Sequence, residues 1–253
     1  QGGAVTSAIP TLTIPALASA WDGPVGVAAR GTVIVLTGRG ETALAYQRFG
    51  RRIADDAYPV RVVTTDLADL DGTRAEVERL LADPDLPAPK VLVGTDAGAT
   101  WVAAVGRDLP GVDGVVLAGL ALASSSIDGS WEAELAARSA CPAHRRVISE
   151  DAAFDRGELG RALPLRLTET EVAPSELPTL VIHGEADAVT PAHLAIDPLL
   201  GPASPRAVVV SGGSHDILND VSHRSVAATV VLFLESLKLG RQLPPIVRPA
   251  AAG

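Results

Sequence analysis

The chain has 253 residues, of which 47% are hydrophobic and 20% charged, and its formal net charge at pH 7 is −9. This composition is typical of a globular domain, and the negative charge without a basic block argues against nucleic acid or an anionic membrane as a partner. A single cysteine excludes an internal disulfide bond, while no bilayer-spanning apolar run and no signal peptide are visible. We therefore expect one cytoplasmic domain over residues 1–253.

Apolar runs and amphipathic stretches alternate along the chain. Two short edge strands are expected within residues 4–30. Further strands are predicted at 32–36, 60–64, 91–93, 112–117, 179–182 and 207–210, and helices at 41–57, 73–82, 99–105 and 220–237. Thr73, with Glu76 three residues later, is the expected N-cap of the second helix. Strands that alternate with helices predict an α/β fold with a mostly parallel, doubly wound sheet.

The most informative motif is Gly94-Thr95-Asp96-Ala97-Gly98, between a predicted strand and a predicted helix. A glycine-flanked turn of this kind is sharp and strained, and it places its central residue above the N-terminus of the helix. The dipole of that helix favours a negative charge there. Taken alone, the motif is also compatible with a tight turn that carries an exposed Asp N-cap.

Two later predicted strands also end in residues that carry chemistry. His183-Gly184-Glu185-Ala186-Asp187 follows one of them, and Gly212-Gly213-Ser214-His215 follows the other. With this order of turn, acid and histidine, the chain resembles the α/β-hydrolase superfamily, notably esterases, lysophospholipases and thioesterases, over nearly its whole length. The resemblance implies a nucleophile elbow and a catalytic triad of Asp96, Asp187 and His215, with Asp in place of the usual Ser.

The identity of the acid has two alternatives. Asp187 follows a strand and precedes Val189-Thr190-Pro191, a helix start, which favours it. Asp128, in the loop after the preceding strand, is the main rival, because some members of the superfamily place the acid there. Glu185 is a weaker rival, two residues closer to the end of the strand.

The loop Thr37-Gly38-Arg39-Gly40 follows the first long strand, where α/β-hydrolases usually carry a His-Gly-rich loop. The resemblance implies an oxyanion hole formed by the backbone N–H of Ala97 and that of Arg39 or its neighbour. Thr37 stands where the family has His, which leaves the backbone donors unaffected. A flexible strand-to-helix turn is the alternative interpretation of the loop.

The alternation of strands and helices stops between about residues 119 and 177. In α/β-hydrolases an insertion at this point forms the lid, so we expect a short lid there and an exposed tail over about 238–253. Trp131 and Phe154 are expected to pack within the lid, and residues 144–146 to form a solvated helix face.

An Asp nucleophile changes the chemistry that the resemblance implies. Its carboxylate is ionised near neutral pH and needs no base before it attacks. Such an Asp displaces a leaving group at saturated carbon, and a histidine then activates water to hydrolyse the resulting ester, as in epoxide hydrolases and haloalkane dehalogenases of the superfamily. The chain departs from those families at Ala97, where they carry Trp, and both Tyr46 and Tyr58 lie outside the lid. Trp101 and Trp131 are candidates for holding a halide.

Three hypotheses follow. The first is hydrolysis of a small or medium ester or thioester, with Asp96 as nucleophile or general base. The second is hydrolysis at saturated carbon, of an epoxide or a halide. The third is a fold reused for elimination or binding, or an inactive relative of a Ser enzyme. Thr95 is a further candidate substrate contact, and no cofactor is expected because no Gly-rich dinucleotide motif and no metal-ligand cluster is visible.

Overall fold

The computed structural model describes residues 19–122, 127, 129–170, 172–201 and 205–248. Within them, one seven-stranded sheet is flanked by helices on both faces. The predicted α/β fold with a mostly parallel, doubly wound sheet is confirmed. Asp128, the main rival for the acid, and residues 4–18, part of the segment expected to hold edge strands, lie outside the described residues.

The strands are short and, except for the first, parallel to their neighbours. They are β1 (Ala20–Trp21), β2 (Thr32–Leu36), β3 (Val60–Val63), β4 (Lys90–Asp96), β5 (Gly114–Leu120), β6 (Thr179–Gly184) and β7 (Arg206–Val210). Their order is β1-β3-β2-β4-β5-β6-β7, with β1 antiparallel to β3. The strands β2, β4, β5 and β6 are buried along their whole length because helices cover both faces. The carboxyl ends of the parallel strands share one edge, the usual location of a ligand site.

The helices differ from the prediction mainly at their first residues. They are α1 (Gln47–Asp55), α2 (Leu70–Ala82), α3 (Ala97–Ala104), α4 (Trp131–Arg138), α5 (Pro142–Glu150), α6 (Leu165–Thr168), α7 (Ala192–Ile196) and α8 (His223–Lys238). The prediction of Thr73 as N-cap of α2 is wrong. The cap is Asp69, whose carboxylate accepts a hydrogen bond from the N–H of Gly72 at 2.8 Å, so the helix begins about one turn earlier.

Two apolar cores lie on opposite faces of the sheet. Val33 and Val35 belong to the core that includes residues of α1 and α8, whereas Ile34 and Leu36 belong to the core that includes residues of α2 and α3. This alternation is what a strand covered on both faces requires, since successive side chains point to opposite sides.

The segment between β5 and β6, residues 121–178, is called the insertion below. It carries α4, α5 and α6. Trp131 packs edge-on against Phe154 with ring centroids 5.5 Å apart, as expected. The expectation of a solvated face at 144–146 is wrong for His144, which is buried because its ring contacts the carboxylate of Asp216. Among the described residues, no helix is long and apolar enough to cross a membrane.

Candidate active site

The strand, turn and helix around Asp96 have the sharp geometry that the sequence predicts. Asp96 ends β4 with φ 47° and ψ −119°, a backbone conformation that side chains rarely adopt. The flanking glycines are required by close packing. A Cβ atom at Gly94 would lie 2.4 Å from the carbonyl oxygen of Gly98, and one at Gly98 would lie 2.5 Å from that of Leu36. This packing holds Asp96 in its strained conformation at the carboxyl edge of the sheet.

The structure brings the three residues of the predicted triad together. His215 Nε2 lies 3.1 Å from Oδ1 of Asp96, and His215 Nδ1 lies 2.8 Å from Oδ2 of Asp187. The other oxygen of Asp187 accepts hydrogen bonds from the N–H groups of Val189 and Thr190 at 2.8 and 3.0 Å. These bonds fix the carboxylate that orients His215.

Glu185, the weaker rival for the acid, has a different partner. Its carboxylate accepts a hydrogen bond from the N–H of Gly212 at 2.9 Å, in an exposed position. His183 is fully buried, and its Nε2 lies 2.7 Å from the carbonyl oxygen of Thr190 and 2.9 Å from Asp187 Oδ2. His183 therefore supports the loop that carries Asp187.

Arg39 covers the carboxylate of Asp96. Its backbone N–H donates to Oδ2 at 2.7 Å, its Nε to Oδ2 at 2.9 Å and to Oδ1 at 3.2 Å, and its Nη2 to Oδ1 at 2.7 Å. The remaining Nη1 donates to the carbonyl oxygen of Arg161 at 2.5 Å. Both Arg39 and Asp96 are only 2% exposed. The resemblance implied only a backbone role for Arg39. The contact of its guanidinium with Asp96 was not predicted, because an Arg in a loop is usually solvated.

The charges of these buried groups are strongly coupled. Burial alone raises the pKa of Asp96, but the charge of Arg39 and the bonds from His215 and Arg39 outweigh it and hold that pKa well below its usual value. Burial lowers the pKa of His215, but Asp187 and Asp96 together raise it to about 10. At neutral pH the site therefore holds an imidazolium between two carboxylates.

The three residues predicted to contact the substrate, Thr95, Trp101 and Trp131, each pack against other side chains of the protein. Trp101 is 1% exposed and belongs to the core on the side of α2 and α3, so its contact with a halide stays a prediction. Thr95 is buried beneath the turn, where its hydroxyl contacts that of Tyr46. Trp131 packs against Phe154 in the insertion. Ala97 begins α3 directly after Asp96, as the predicted oxyanion hole requires.

A second group of buried charges lies next to the first. Arg138, the last residue of α4, donates from Nη2 to the carboxylate of Glu134 at 2.8 Å and to the carbonyl oxygen of Arg39 at 2.7 Å. Its Nη1 lies 3.5 Å from the carboxylate of Glu41 and 3.6 Å from that of Asp216. One guanidinium therefore joins the insertion to the loops that follow β2 and β7.

Glu41 is the titratable centre of this second group. Its Oε2 accepts hydrogen bonds from the N–H of Gly38 at 2.8 Å and from the hydroxyl of Tyr46. Burial and the neighbouring charge of Asp216 raise the pKa of Glu41 to about 7. Sequence analysis did not identify Glu41 or Asp216 as buried, because charged residues in loops carry no such signal.

Glu41, His144 and Asp216 place their potential ligand atoms within 4.8 Å of one another. This cluster is not visible in the sequence, because only the fold brings His144 to two carboxylates that are distant from it in the chain. The guanidinium of Arg138 already lies among these carboxylates and supplies the positive charge there. We therefore assign no metal to this group.

A cavity of about 560 Å³ opens beside Arg39. Its walls come from the loops after β2 and β3 and from the insertion, and they include Gly38, Arg39, Thr65, Glu158 and Arg161. Its size is that of a site for a small molecule. Neither Asp96 nor His215 is among the lining residues, whereas Arg39, which covers the carboxylate of Asp96, is.

Comparison with known proteins identifies the fold. No protein-family model matches the chain, and no curated protein matches it. Among solved structures, the monoacylglycerol lipase of Paleococcus ferrophilus is 19% identical, with a TM-score of 0.64 over 86% of this chain and 97% of that one. A soluble variant of monoglyceride lipase from Saccharomyces cerevisiae is 14% identical, with a TM-score of 0.66 over 86% of this chain and 90% of that one.

MenH from S. aureus is also similar, with 14% identity and a TM-score of 0.59 over 87% of this chain and 98% of that one. The chain therefore has the α/β-hydrolase fold, as the resemblance in the sequence predicted. At these identities the likeness establishes the fold alone, and the reaction has to be argued from the site.

Proposed function

We propose that this protein is a hydrolase in which Asp96 is the nucleophile and the pair of His215 and Asp187 activates water. One observation carries the proposal. Oδ2 of Asp96 accepts the backbone N–H of Arg39 at 2.7 Å, while Oδ1 faces His215 Nε2 at 3.1 Å. The carboxylate is thus oriented with one oxygen held by the predicted oxyanion donor and the other on the side of the histidine.

The first step is displacement at carbon. Oδ1 of Asp96 forms a bond to the substrate carbon, and the leaving group departs with the electron pair of the bond that breaks. No proton has to be removed from Asp96, because its low pKa keeps it ionised. The product of this step is an ester of Asp96 whose carbonyl oxygen, Oδ2, already lies on the N–H of Arg39.

The second step is hydrolysis of that ester. Once Asp96 is esterified, His215 loses one of its two carboxylate partners, so its pKa falls and Nε2 can release its proton to solvent. His215, oriented by Asp187 at 2.8 Å, then takes a proton from water, and the hydroxide adds to Cγ of Asp96. The oxyanion develops on Oδ2, where a backbone N–H contributes a few kcal/mol of stabilisation. Cleavage of the Cγ–Oδ1 bond expels the alkoxide, which takes the proton back from His215 and leaves as the alcohol.

The occupied N–H of Arg39 favours substrates with a reactive saturated carbon over esters and thioesters. An acyl substrate needs that donor for its own carbonyl oxygen, whereas an alkyl substrate leaves it to Asp96. Ester hydrolysis remains a second candidate, because two of the similar structures are lipases of acylglycerols by name. The low pKa of Asp96 argues against a role as general base in either case.

The test is covalent trapping with panels of epoxides, 1-haloalkanes and p-nitrophenyl esters. His215→Gln is expected to lower turnover about a thousandfold or more and to accumulate an adduct on the peptide that contains Asp96, seen by mass spectrometry. Asp96→Asn is expected to give neither turnover nor adduct. In the wild-type protein, a single turnover in ¹⁸O-water should place the label in the Asp96 carboxylate.

Two outcomes contradict the proposal. Turnover by the wild type without label in Asp96 would assign Asp96 a role other than nucleophile. Turnover of esters by an Asp96→Ser variant, together with an inert wild type, would identify the protein as an inactive relative of a Ser enzyme.

A further inference from the structure

Arg39 contacts Asp96 and is also one of the residues that line the cavity. Its nitrogens hydrogen-bond to both oxygens of Asp96, and His215 takes a further position on Oδ1. On its other side, Arg39 lines the cavity and reaches the carbonyl oxygen of Arg161, another lining residue. A substrate in the cavity therefore meets Arg39 beside Asp96, and the carboxylate is freer to attack once the guanidinium has moved.

A buried guanidinium does not leave its partner unless another takes its place. Removing one member of a buried ion pair is strongly unfavourable because it leaves an uncompensated charge. Arg39 is 2% exposed, so water cannot readily replace Asp96. Movement of Arg39 consequently requires a second anion within the cavity.

The carboxylates that line the cavity are largely engaged. Glu158 pairs with Arg161 at 2.6 Å. Glu41 is held by Gly38, Tyr46 and Arg138. Asp66 caps the N–H groups of its own turn, at 2.8 Å for the nearest. Asp155 is the remaining carboxylate among the lining residues, and it is exposed.

The cavity also holds a buried polar group without a partner. Thr65 lines the wall and is 6% exposed, and its hydroxyl has no hydrogen-bond partner within the described residues. A buried hydroxyl without a partner is costly.

We infer that Arg39 is a substrate-binding residue and that the substrate carries a carboxylate next to its reactive carbon. The inference rests on the proposed function and names its substrate class. The substrate carboxylate takes over the planar guanidinium, for which it is the matching partner, and Asp96 is released. The backbone N–H of Arg39 stays on Oδ2. This exchange of partners brings the reactive carbon of the substrate next to the guanidinium of Arg39. The reactive carbon then also lies next to Oδ1 of Asp96.

Binding is tested without catalysis. Acetate and its neutral isostere acetamide are compared as ligands of the wild-type protein by thermal stability and by the NMR signal of the Arg39 side-chain Nε–H, at constant ionic strength. Acetate is expected to raise the melting temperature and shift the Arg39 signal, and acetamide to do neither. In Asp155→Asn the response of the Arg39 signal to acetate should persist. If the Arg39 signal instead shows an exchange without acetate, and that exchange disappears in Asp155→Asn, then Asp155 is the exchange partner and the inference is overturned.

Reaction is tested with iodoacetate and iodoacetamide, which are matched in size and differ in charge. Both are applied to the Cys141→Ala, His215→Gln double variant, since Cys141 is the only cysteine and would otherwise consume them. Oδ1 of Asp96 should displace iodide from iodoacetate and retain the carboxymethyl group as an ester. The expected rate is at least about tenfold higher than with iodoacetamide, and the preference should be lost in Arg39→Met. Arg74→Gln, which removes a surface arginine paired with Glu78, is the control.

The outcomes separate the inference from the function on which it rests. Equal labelling of Asp96 by both reagents would leave Asp96 as a nucleophile and remove the role of the substrate carboxylate. Labelling by neither reagent, with no response of Arg39 to acetate, would overturn the inference. If epoxides or haloalkanes then also failed to label Asp96, the proposed function would fall as well.

Discussion

A single residue, Asp96, determines most of the local electrostatics. The usual Ser of the α/β-hydrolase resemblance is neutral, but an Asp in a buried position needs compensating positive charge. Arg39 and His215 supply it. The buried position of the Arg39 guanidinium is thus explained by the negative charge of Asp96, and we treat the two residues as one unit.

This interdependence predicts how the pair responds to substitution. Arg39→Met is expected to destabilise the protein by about 3–5 kcal/mol, because it removes one of the two cations that compensate the buried carboxylate of Asp96. Adding Asp96→Asn should recover most of that loss, since the unpaired charge is then gone. Urea denaturation of the wild type, both single variants and the double variant measures the coupling. Additive losses would show that the two residues stabilise the fold independently.

Asp96, Asp187 and His215 could be proposed from the sequence because the resemblance to α/β-hydrolases implies them, and because each lies at or shortly after the carboxyl end of a strand, where parallel strands converge. Sequence analysis could not place Arg138 or Asp216, since nothing in a helix end or a loop distinguishes a buried charge from a solvated one. Their burial depends on contacts between segments about 80 to 175 residues apart along the chain, which the sequence pattern does not encode.

At the scale of elements, the turn between β4 and α3 is the feature that the sequence determines most closely, because its glycines are required by packing. The helix approaches β2 so closely that only glycine fits at position 98. The start of α2 was the weaker prediction, because Asp69 and Thr73 are both acceptable caps and the choice depends on the burial of Leu70.

We expect Gly98→Ala to disrupt this turn. The new Cβ would lie 2.5 Å from the carbonyl oxygen of Leu36 and 2.7 Å from that of Thr37, both backbone atoms that cannot move aside cheaply. The cost should be at least about 2–3 kcal/mol in unfolding free energy. Gly160→Ala is the matched control, because its nearest neighbour would be an ordinary 3.7 Å away. Equal stability of the two variants would contradict the packing described for the turn.

The insertion is joined to the carboxyl edge of the sheet by backbone hydrogen bonds as well as by charge. The N–H of His215 donates to the carbonyl oxygen of Ala137 at 3.2 Å, and that of Asp216 to the carbonyl oxygen of Arg138 at 2.7 Å. The end of α4 therefore sets the position of the histidine loop. A displacement of this helix would move His215 relative to Asp96.

At the scale of the whole molecule, two apolar cores enclose a sheet whose carboxyl edge carries many buried charges. The aromatic fraction of only 3% leaves the cores to aliphatic side chains. The stability of such a molecule depends on pH, because its buried groups titrate differently in the folded and unfolded states.

The pH dependence has a definite sign. The pKa of His215 rises from 6.5 to about 10 on folding, so its contribution is fully present below about pH 6.5 and is lost as the pH rises towards 10. Burial raises the pKa of Glu41 from 4.5 to about 7, so its contribution to stability has the same sign. That contribution is present below about pH 4.5 and is lost as the pH rises towards 7. We therefore expect the free energy of unfolding to be highest at weakly acidic pH.

Between pH 7 and 9.5 the wild-type protein should lose up to about 1.4 kcal/mol per pH unit for the proton on His215. In Asp96→Asn the loss should end at a lower pH, because His215 keeps only Asp187 as a charged partner and the pKa of His215 in the folded state is lower. Urea denaturation at a series of pH values measures the loss in both proteins. Parallel curves for the two proteins would show that His215 is not held as an imidazolium by Asp96, and the charge state assigned to the resting site would have to change.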